Sequence, residues 1–455
     1  MNIESLRQQC SGAVLLPDTH GYDEMRRCWN TAVNLYPAVI VVASTAADIQ
    51  AALAFANHNS LNVLVQSTGH GAAPQTGHYL LIVTTRMRRV VVDAAGRTAW
   101  IEAGAVWGDV LRETQLHGLA PLLGSSGTVG VIGYTLGGGI GWLARKYGLA
   151  VDSVVSIELV TADGQMVRAS SREHRDLYWA MCGSGGGGFG IVAAIEVQLY
   201  PVSTVWGGGL TYPIAQVTEV FSRYREWTTS LPEAMTSSIA IVNVPDRSDI
   251  PPTVRGTSFV IVKGCCCGPV SDGKALMSHW TDWKRPTTNT FAVLPFAEVA
   301  SISQDPVDPV PAFAAGGDVL RTLSDEAIAI VIQYATVDGT TNSGTSLFLE
   351  TEVRHVDSEV VRAQRTPNAY SLRDASFILD VVASAPTPES IDALRRYTAA
   401  FKRALRPHSS GTYLNFADAA VRTDNAFDAE TDARLRAIKH RYDARGLFIS
   451  ADPFR

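Results

Sequence analysis

Two histidines, His70 and His78, stand eight residues apart in the stretch QSTGHGAAPQTGHYL, surrounded by glycine, proline and small polar residues. A metal pair, a base with a neighbour, a surface loop and an attachment point for a larger group all fit that spacing. A metal would need a third or fourth converging ligand, and the chain offers none at useful spacing. The six cysteines, Cys10, Cys28, Cys182, Cys265, Cys266 and Cys267, contain no paired CxxC and make a poor disulfide framework. They read as reduced, partly buried thiols. Farther along, SLFLETEVRHV puts Glu350, Glu352 and Arg354 on one face of a strand by two-residue alternation, with Leu349, Thr351 and Val353 on the other. Three charges on one face mean either a solvated surface or a polar site.

Glycine supplies the next candidates. Gly185, Gly187 and Gly190 satisfy GxGxxG, a dinucleotide fingerprint that needs a strand before it and a helix after it. Here the order is reversed, with the helical DLYWAM before the glycines and the strand IVAAIEVQLY after them, so that reading fails. No GxxxxGK[ST], GxSxG or HExxH occurs. Three glycine-bearing loops nevertheless recur, at 66–77, 124–141 and 183–190, each at a strand end or a helix start. They either make tight turns or let backbone approach one shared ligand closely, because no Cβ intervenes. A diphosphate-linked cofactor would suit such a pocket.

The elements that must position these groups fall into two patterns. Up to about residue 200, short strands alternate with helices: 38–44, a helix capped by Ser44 or Thr45, then 62–66, 79–85, 89–93 and 98–104. A helix over 107–118 ends at Gly118, and Asp163-Gly164 turns a hairpin. From 206 to 405, longer strands and helices suggest an antiparallel sheet with helices on one side. Helices at 388–405 and 428–443 flank GTYLNFAD. The predicted fold class is α+β.

Composition narrows the rest. The chain has 455 residues, 46% hydrophobic and 18% charged, with a net charge of −6 and no block of like charges. A nucleic-acid partner is excluded on that balance, and no apolar run is long enough to span a membrane. The first twenty residues lack a secretory pattern, which predicts a cytoplasmic protein.

The order and spacing of several motifs resemble the FAD-binding domain of the vanillyl-alcohol oxidase superfamily, with the PCMH-type architecture of its berberine-bridge-enzyme-like branch. The matching pieces are VQSTGHG, TTRMRRVVVD, AWIEAGAVWGDVL, GTVGVIGYTLGGGIGWLARKYGLAVDSV, ELVTADGQMV and DLYWAMCGSGGGGFGIV, followed near the end by YLNFAD and RLRAIKHRYDARGLF. The resemblance implies a two-subdomain FAD-binding domain at 1–205, a substrate domain at 206–408 and a closing segment at 409–455 that returns to the first. It implies a flavin joined through its 8α-methyl group to His70, with Gln66, Ser67, Thr68, Gly69, Gly71 and Ala72 around it. Ser126, Gly127, Thr128, Gly130, Val131, Gly133, Gly137 and Gly138 would face the cofactor, as would Gly186, Gly190, Ile191, Tyr413 and Asn415. Where many relatives carry a second flavin-linking cysteine, this chain has Ser126, so one covalent link is implied at most.

The resemblance further implies an FAD-dependent oxidoreductase: hydride leaves an alcohol or amine carbon of a small or medium organic substrate, and O2 returns as H2O2. An oxidative cyclase, a redox-neutral enzyme of secondary metabolism and a flavin-binding protein without turnover remain alternatives. Tyr413 is the leading catalytic candidate, provided its pKa is lowered, for instance by Arg354. Glu350, Glu352 and Arg354 accompany it, and Tyr370, Arg373 and His355 stand behind them. Trp206, Phe259, Trp280, Trp283, Phe291 and Phe296 suggest an aromatic or polycyclic substrate. A monomer or homodimer is expected, with no metal.

Overall fold

Three sheets carry the chain, and the computed structural model describes residues 1–248, 250–336, 346–364, 366–383, 388–417 and 425–449. The first sheet has four strands, Ala13–Leu15, Val39–Val42, Tyr79–Val83 and Asn62–Gln66 in spatial order, the last three parallel and the first antiparallel at the edge. Val39, Val41, Leu80 and Ile82 enter the core on one face, while Ile40, Val42, Leu81 and Val83 enter another on the opposite face. Both faces being covered explains why these strands read as unbroken apolar runs rather than alternating ones. Thr45 caps the intervening helix Ala46–His58 in a capping box with Asp48, as a Thr three residues before an acid predicts.

The second sheet is antiparallel, in the order Val90–Asp93, Thr98–Glu102, Ile191–Gln198, Val154–Val160 and Met166–Ser170. The third is antiparallel throughout. It centres on Thr204–Pro213, Ser258–Cys266, Met235–Asn243, Phe348–His355 and Phe377–Ala383, neighbours in that order. Helices Val217–Thr228, Val270–Thr281, Asp325–Thr336 and Pro388–Leu405 accompany this sheet, and one apolar cluster runs through helices and strands. The architecture is α+β, as the strand and helix patterns predicted.

Near the C-terminus the chain comes back to the first sheet. Val63 donates to the carbonyl of Leu447, and the N–H of Ile449 donates to the carbonyl of Val63. Two arginines fasten the third sheet to the rest. Arg145, after the second glycine loop, gives its guanidinium hydrogens to the carbonyls of Leu231, Pro232, Met235 and Asp357. Arg373 forms a two-pronged bond with the buried Asp152, at 2.7 and 2.6 Å. The cysteines are free thiols, with Cys265 and Cys266 at the end of their strand. No described helix is long and apolar enough to cross a membrane.

Candidate active site

The three glycine loops, far apart in sequence, meet. The strand Asn62–Gln66 delivers the first loop, whose His70 ring has Nδ1 2.8 Å from the Thr68 hydroxyl and Nε2 3.2 Å from the Thr128 hydroxyl of the second loop. Thr128 in turn meets Ser126 at 2.9 Å. Burial lowers the imidazole pKa to about 4, so the ring is neutral at pH 7 and one of its two hydroxyl-bonded nitrogens carries a lone pair. His78 takes no part and lies exposed just before the strand Tyr79–Val83.

Close approach explains several glycines. Gly69 is left-handed, at φ +77°, and a Cβ there would lie 2.7 Å from Cα of Cys28. A Cβ on Gly137 would lie 1.9 Å from Oδ1 of Asn415, and one on Gly130 would lie 3.1 Å from Oγ of Ser67. Gly186 lies against Leu136, which joins the third loop to the second. N–H donation is a different matter. The N–H groups of Val131, Gly137 and Gly138 are already given to the carbonyls of Ala105, Gly133 and Thr135, and that of Ala72 to Gly69. At those positions the loop offers proximity rather than donors. Gln66 likewise turns its amide away, giving a hydrogen to the Arg27 carbonyl and accepting from the Cys28 thiol. Ile191 and Gly190 pack toward Val160 between the sheets, whereas Gly71 is exposed, Gly127 has the Gly108 backbone beside it and Gly133 has nothing within 4 Å.

A polar ligand against these loops would satisfy atoms that the protein leaves unpaired. Among the described residues, Oγ of Ser67, Oη of Tyr134, Oγ1 of Thr135 and Oγ of Ser184 are buried with no hydrogen-bond partner, one or two in each loop. Buried polar atoms rarely stay unpaired in a finished site. This is the observation by which the residues fit a cofactor such as FAD.

From the C-terminal side, Tyr413 and Asn415 close on the second loop. The Tyr413 hydroxyl accepts from the N–H of Gly139 at 3.0 Å and from Asn415 at 3.1 Å, while Asn415 also donates to the Tyr134 carbonyl at 2.9 Å. Burial raises the Tyr413 pKa, and this outweighs the lowering by Asn415, Arg354 and Gly139. The expectation that Arg354 brings this phenol down into a base's range is therefore corrected. Tyr413 keeps its proton at neutral pH.

The charged strand face is not a solvated surface. Lys263, on the strand Ser258–Cys266, sits 2.8 Å from Glu350 and 3.3 Å from Glu352. Glu352 accepts from Ser238 at 2.7 Å and from Nε of Arg354 at 2.7 Å, and Arg354 reaches Asp380 at 3.4 Å. Burial opposes ionisation of Glu352, but Arg354, Lys263 and Ser238 prevail and hold its pKa at about 2. Asp380 is the opposite case. Burial exceeds the help of Arg354, the nearby glutamates add repulsion, and the carboxyl is pushed up to about 7. The Arg354 guanidinium lies over the Phe416 ring at 4.8 Å, and Phe416 meets Tyr413 edge-on at 4.9 Å. So the ion chain and the Tyr413 segment face each other. A cavity of about 20 Å³, room for about one water molecule, opens beside Arg354 between Ser238, His355, Gly141 and Trp142.

The remaining candidates separate. Tyr370 packs on Gly138 and Gly183, and Arg373 is taken by Asp152, so both act in packing. His355 is buried, stacked on Phe377, with its pKa lowered to about 3 by burial and Arg145. None of the six aromatic residues lines the small cavity beside Arg354, and Phe259 is half-buried on its strand. Trp206 and Trp280 belong to the core of the third sheet, with Phe291 and Trp283 against it, and Phe296 is buried in the neighbouring core. They carry no argument about the substrate. Lys263 and Asp380 were not anticipated, although a single charge inside SFVIVKGCC or FILDVVA is itself a signal, since a buried charge requires a partner.

Comparison with known proteins adds to this geometry. Residues 37–170 match the FAD binding domain family. An uncharacterized FAD-linked oxidoreductase of Bacillus subtilis is 26% identical over 451 residues, covering 97% of this chain and 96% of that protein. The (R)-6-hydroxynicotine oxidase of Paenarthrobacter nicotinovorans is 36% identical over 192 residues, 42% of each chain. Among solved structures, a carbohydrate oxidase from Microdochium nivale superposes with a TM-score of 0.83 over all of both chains, at 23% identity.

Proposed function

We propose that the chain, whose residues 37–170 match the FAD binding domain family, is an FAD-linked oxidoreductase of the vanillyl-alcohol oxidase type and works as an oxidase on an alcohol or amine carbon of a small organic molecule. When bound, FAD supplies the hydride acceptor, and O2 takes the electrons on as H2O2. The observation that carries the reading is the chain Glu350–Lys263–Glu352–Arg354–Asp380, buried at Lys263 and Glu352 and half-buried at the other three, turned toward Tyr413 across Phe416. A site this costly to bury is better suited to chemistry than to packing.

Each residue then has a task. Glu352, permanently ionised, fixes Arg354 and Lys263. Asp380, with its pKa pushed up to about 7, holds or releases the substrate's O–H or N–H proton near neutral pH. Tyr413, protonated, orients the reacting group through its hydroxyl. The residues that would hold FAD are those of the three loops with Asn415, and His70 would bond the flavin as its single covalent link, Ser126 being unable to form a thioether. The same reading assigns 1–205 and 409–455 to the cofactor and 206–408 to the substrate.

The test is a purified preparation, acid-precipitated to see whether yellow colour stays in the pellet. It is then assayed for O2 uptake and H2O2 release on panels of amines, alcohols and sugars. Flavin bleached by substrate under nitrogen, with H2O2 formed in air, is the expected result. Bleaching without O2 uptake would make it a dehydrogenase, and folded protein without flavin would overturn the reading.

A further inference from the structure

The segment 27–31 crosses the His70 loop like a strap, and the function proposed above does not use it. The N–H of Trp29 donates to the Thr68 carbonyl at 2.8 Å and that of Asn30 to the Gly69 carbonyl at 3.4 Å. The Trp29 indole lies flat on the His70 imidazole, ring centroids 4.1 Å apart and planes 13° from parallel. On its far side the strap is anchored to the connection 305–313. Trp29 Nε1 donates to the Val307 carbonyl at 3.2 Å, the Asn30 side chain to Ala312 at 2.7 Å, and the Thr31 N–H to Val310 at 3.1 Å.

These contacts divide the control of one ring. The Thr68 and Thr128 hydroxyls, at its two nitrogens, fix its rotation in the plane. Nothing in that pair prevents the ring from tilting, and the indole removes this freedom while shielding one face. Gly69 lets strap and loop come into backbone contact, so the indole has no slack to follow a moving imidazole.

We infer that Trp29 is a positioning residue for attachment of the flavin to His70, holding the imidazole at the tilt from which a ring nitrogen meets the cofactor's methyl carbon. The inference rests on the proposed role of His70. In the attachment, the imidazole N–H and one methyl C–H break and an N–C bond forms. The two hydrogens and their electrons stay on the flavin until O2 removes them as H2O2. A bond that forms once per molecule depends on how often the nucleophile is aimed, and loss of aim slows such steps steeply. The neutral state of the ring, kept by burial, supplies the lone pair.

The experiment compares wild type, Trp29→Ala and Trp29→Phe, each purified with its flavin and then incubated with excess FAD. Covalent flavin is read over time as the acid-insoluble fraction, and total flavin is read from the intact protein. Trp29→Ala is expected to retain bound FAD while attachment slows on the order of tenfold or more, and Trp29→Phe, keeping a flat ring, to recover most of the rate. Attachment in Trp29→Ala at the wild-type rate would overturn the inference. So would folded Trp29→Ala that binds no FAD, or Trp29→Phe as slow as Trp29→Ala, since the strap would then serve binding or packing. Wild type with FAD that is wholly acid-soluble would overturn the attachment at His70 itself.

Discussion

His70 and His78 share a loop and a residue type but not an environment. The first is half-buried between two threonines and under Trp29, and the second is exposed beyond the loop. His70→Ala is therefore expected to abolish acid-stable flavin, and His78→Ala to leave it intact; mass spectrometry of the flavin peptide distinguishes them. Among the carboxyls, Glu352→Gln leaves Lys263 and Arg354 short of a buried counter-charge. It should cost about 3–5 kcal/mol in urea titration, the range for breaking one side of a buried pair. Asp380 titrates in the other direction. Its folded-state pKa, about 7, is above the unfolded value of roughly 4. The native state thus binds that proton more tightly, and the resulting stabilisation is complete below about pH 4 and lost as pH rises through about 7. Asp380→Asn should accordingly gain in Tm relative to wild type between pH 5 and pH 8. A difference independent of pH would show that this carboxyl does not titrate there.

At the scale of elements, the second glycine loop and its short helix Val131–Leu136 hold two kinds of glycine. Gly137 has no room for a Cβ, since Asn415 is in the way, whereas Gly133 has nothing within 4 Å. Gly137→Ala should lower Tm, at a cost of about 1–3 kcal/mol typical of forced overpacking. Gly133→Ala should leave the fold unharmed or slightly stabilised, by roughly 0.5–1 kcal/mol as for glycine replaced inside a helix. If Gly133 faces the cofactor, that variant will also bind less flavin, and flavin content per folded protein measures this separately from Tm. The strand Phe348–His355 shows how an element can be read for its pattern and not its meaning. Two-residue alternation places Glu350, Glu352 and Arg354 on one face, but whether that face meets water depends on Lys263 from two strands away and Asp380 from the next.

At the scale of the molecule, the sheet bearing the ion chain is fastened to the glycine loops by a few buried polar contacts. Arg145 gives its guanidinium to four carbonyls across that boundary. Replacing it with Met would leave those acceptors without their donor, at about 1–3 kcal/mol for each one that water cannot reach. Arg145→Met is expected to separate the transitions, with flavin fluorescence released at lower urea than secondary structure is lost. A single coincident transition would show that the boundary does not depend on this side chain.

The sequence by itself determined the alternation of elements, since apolar period and turn residues act locally: the strand Asn62–Gln66, the cap at Thr45 and the hairpin at Asp163-Gly164 are all as read. It also determined that three loops lacked side chains for a reason, and which of two histidines had a strand to aim it. The tertiary structure alone decided what those groups touch. No spacing rule connects Trp29 to His70, or Lys263 to Glu350 and Glu352, because their contact arises from sheet order and loop packing. The same holds for Tyr413, whose ionisation is set by burial and not by residue type. Charge state depends on the dielectric and the partners that folding brings, and these are properties of the assembled site.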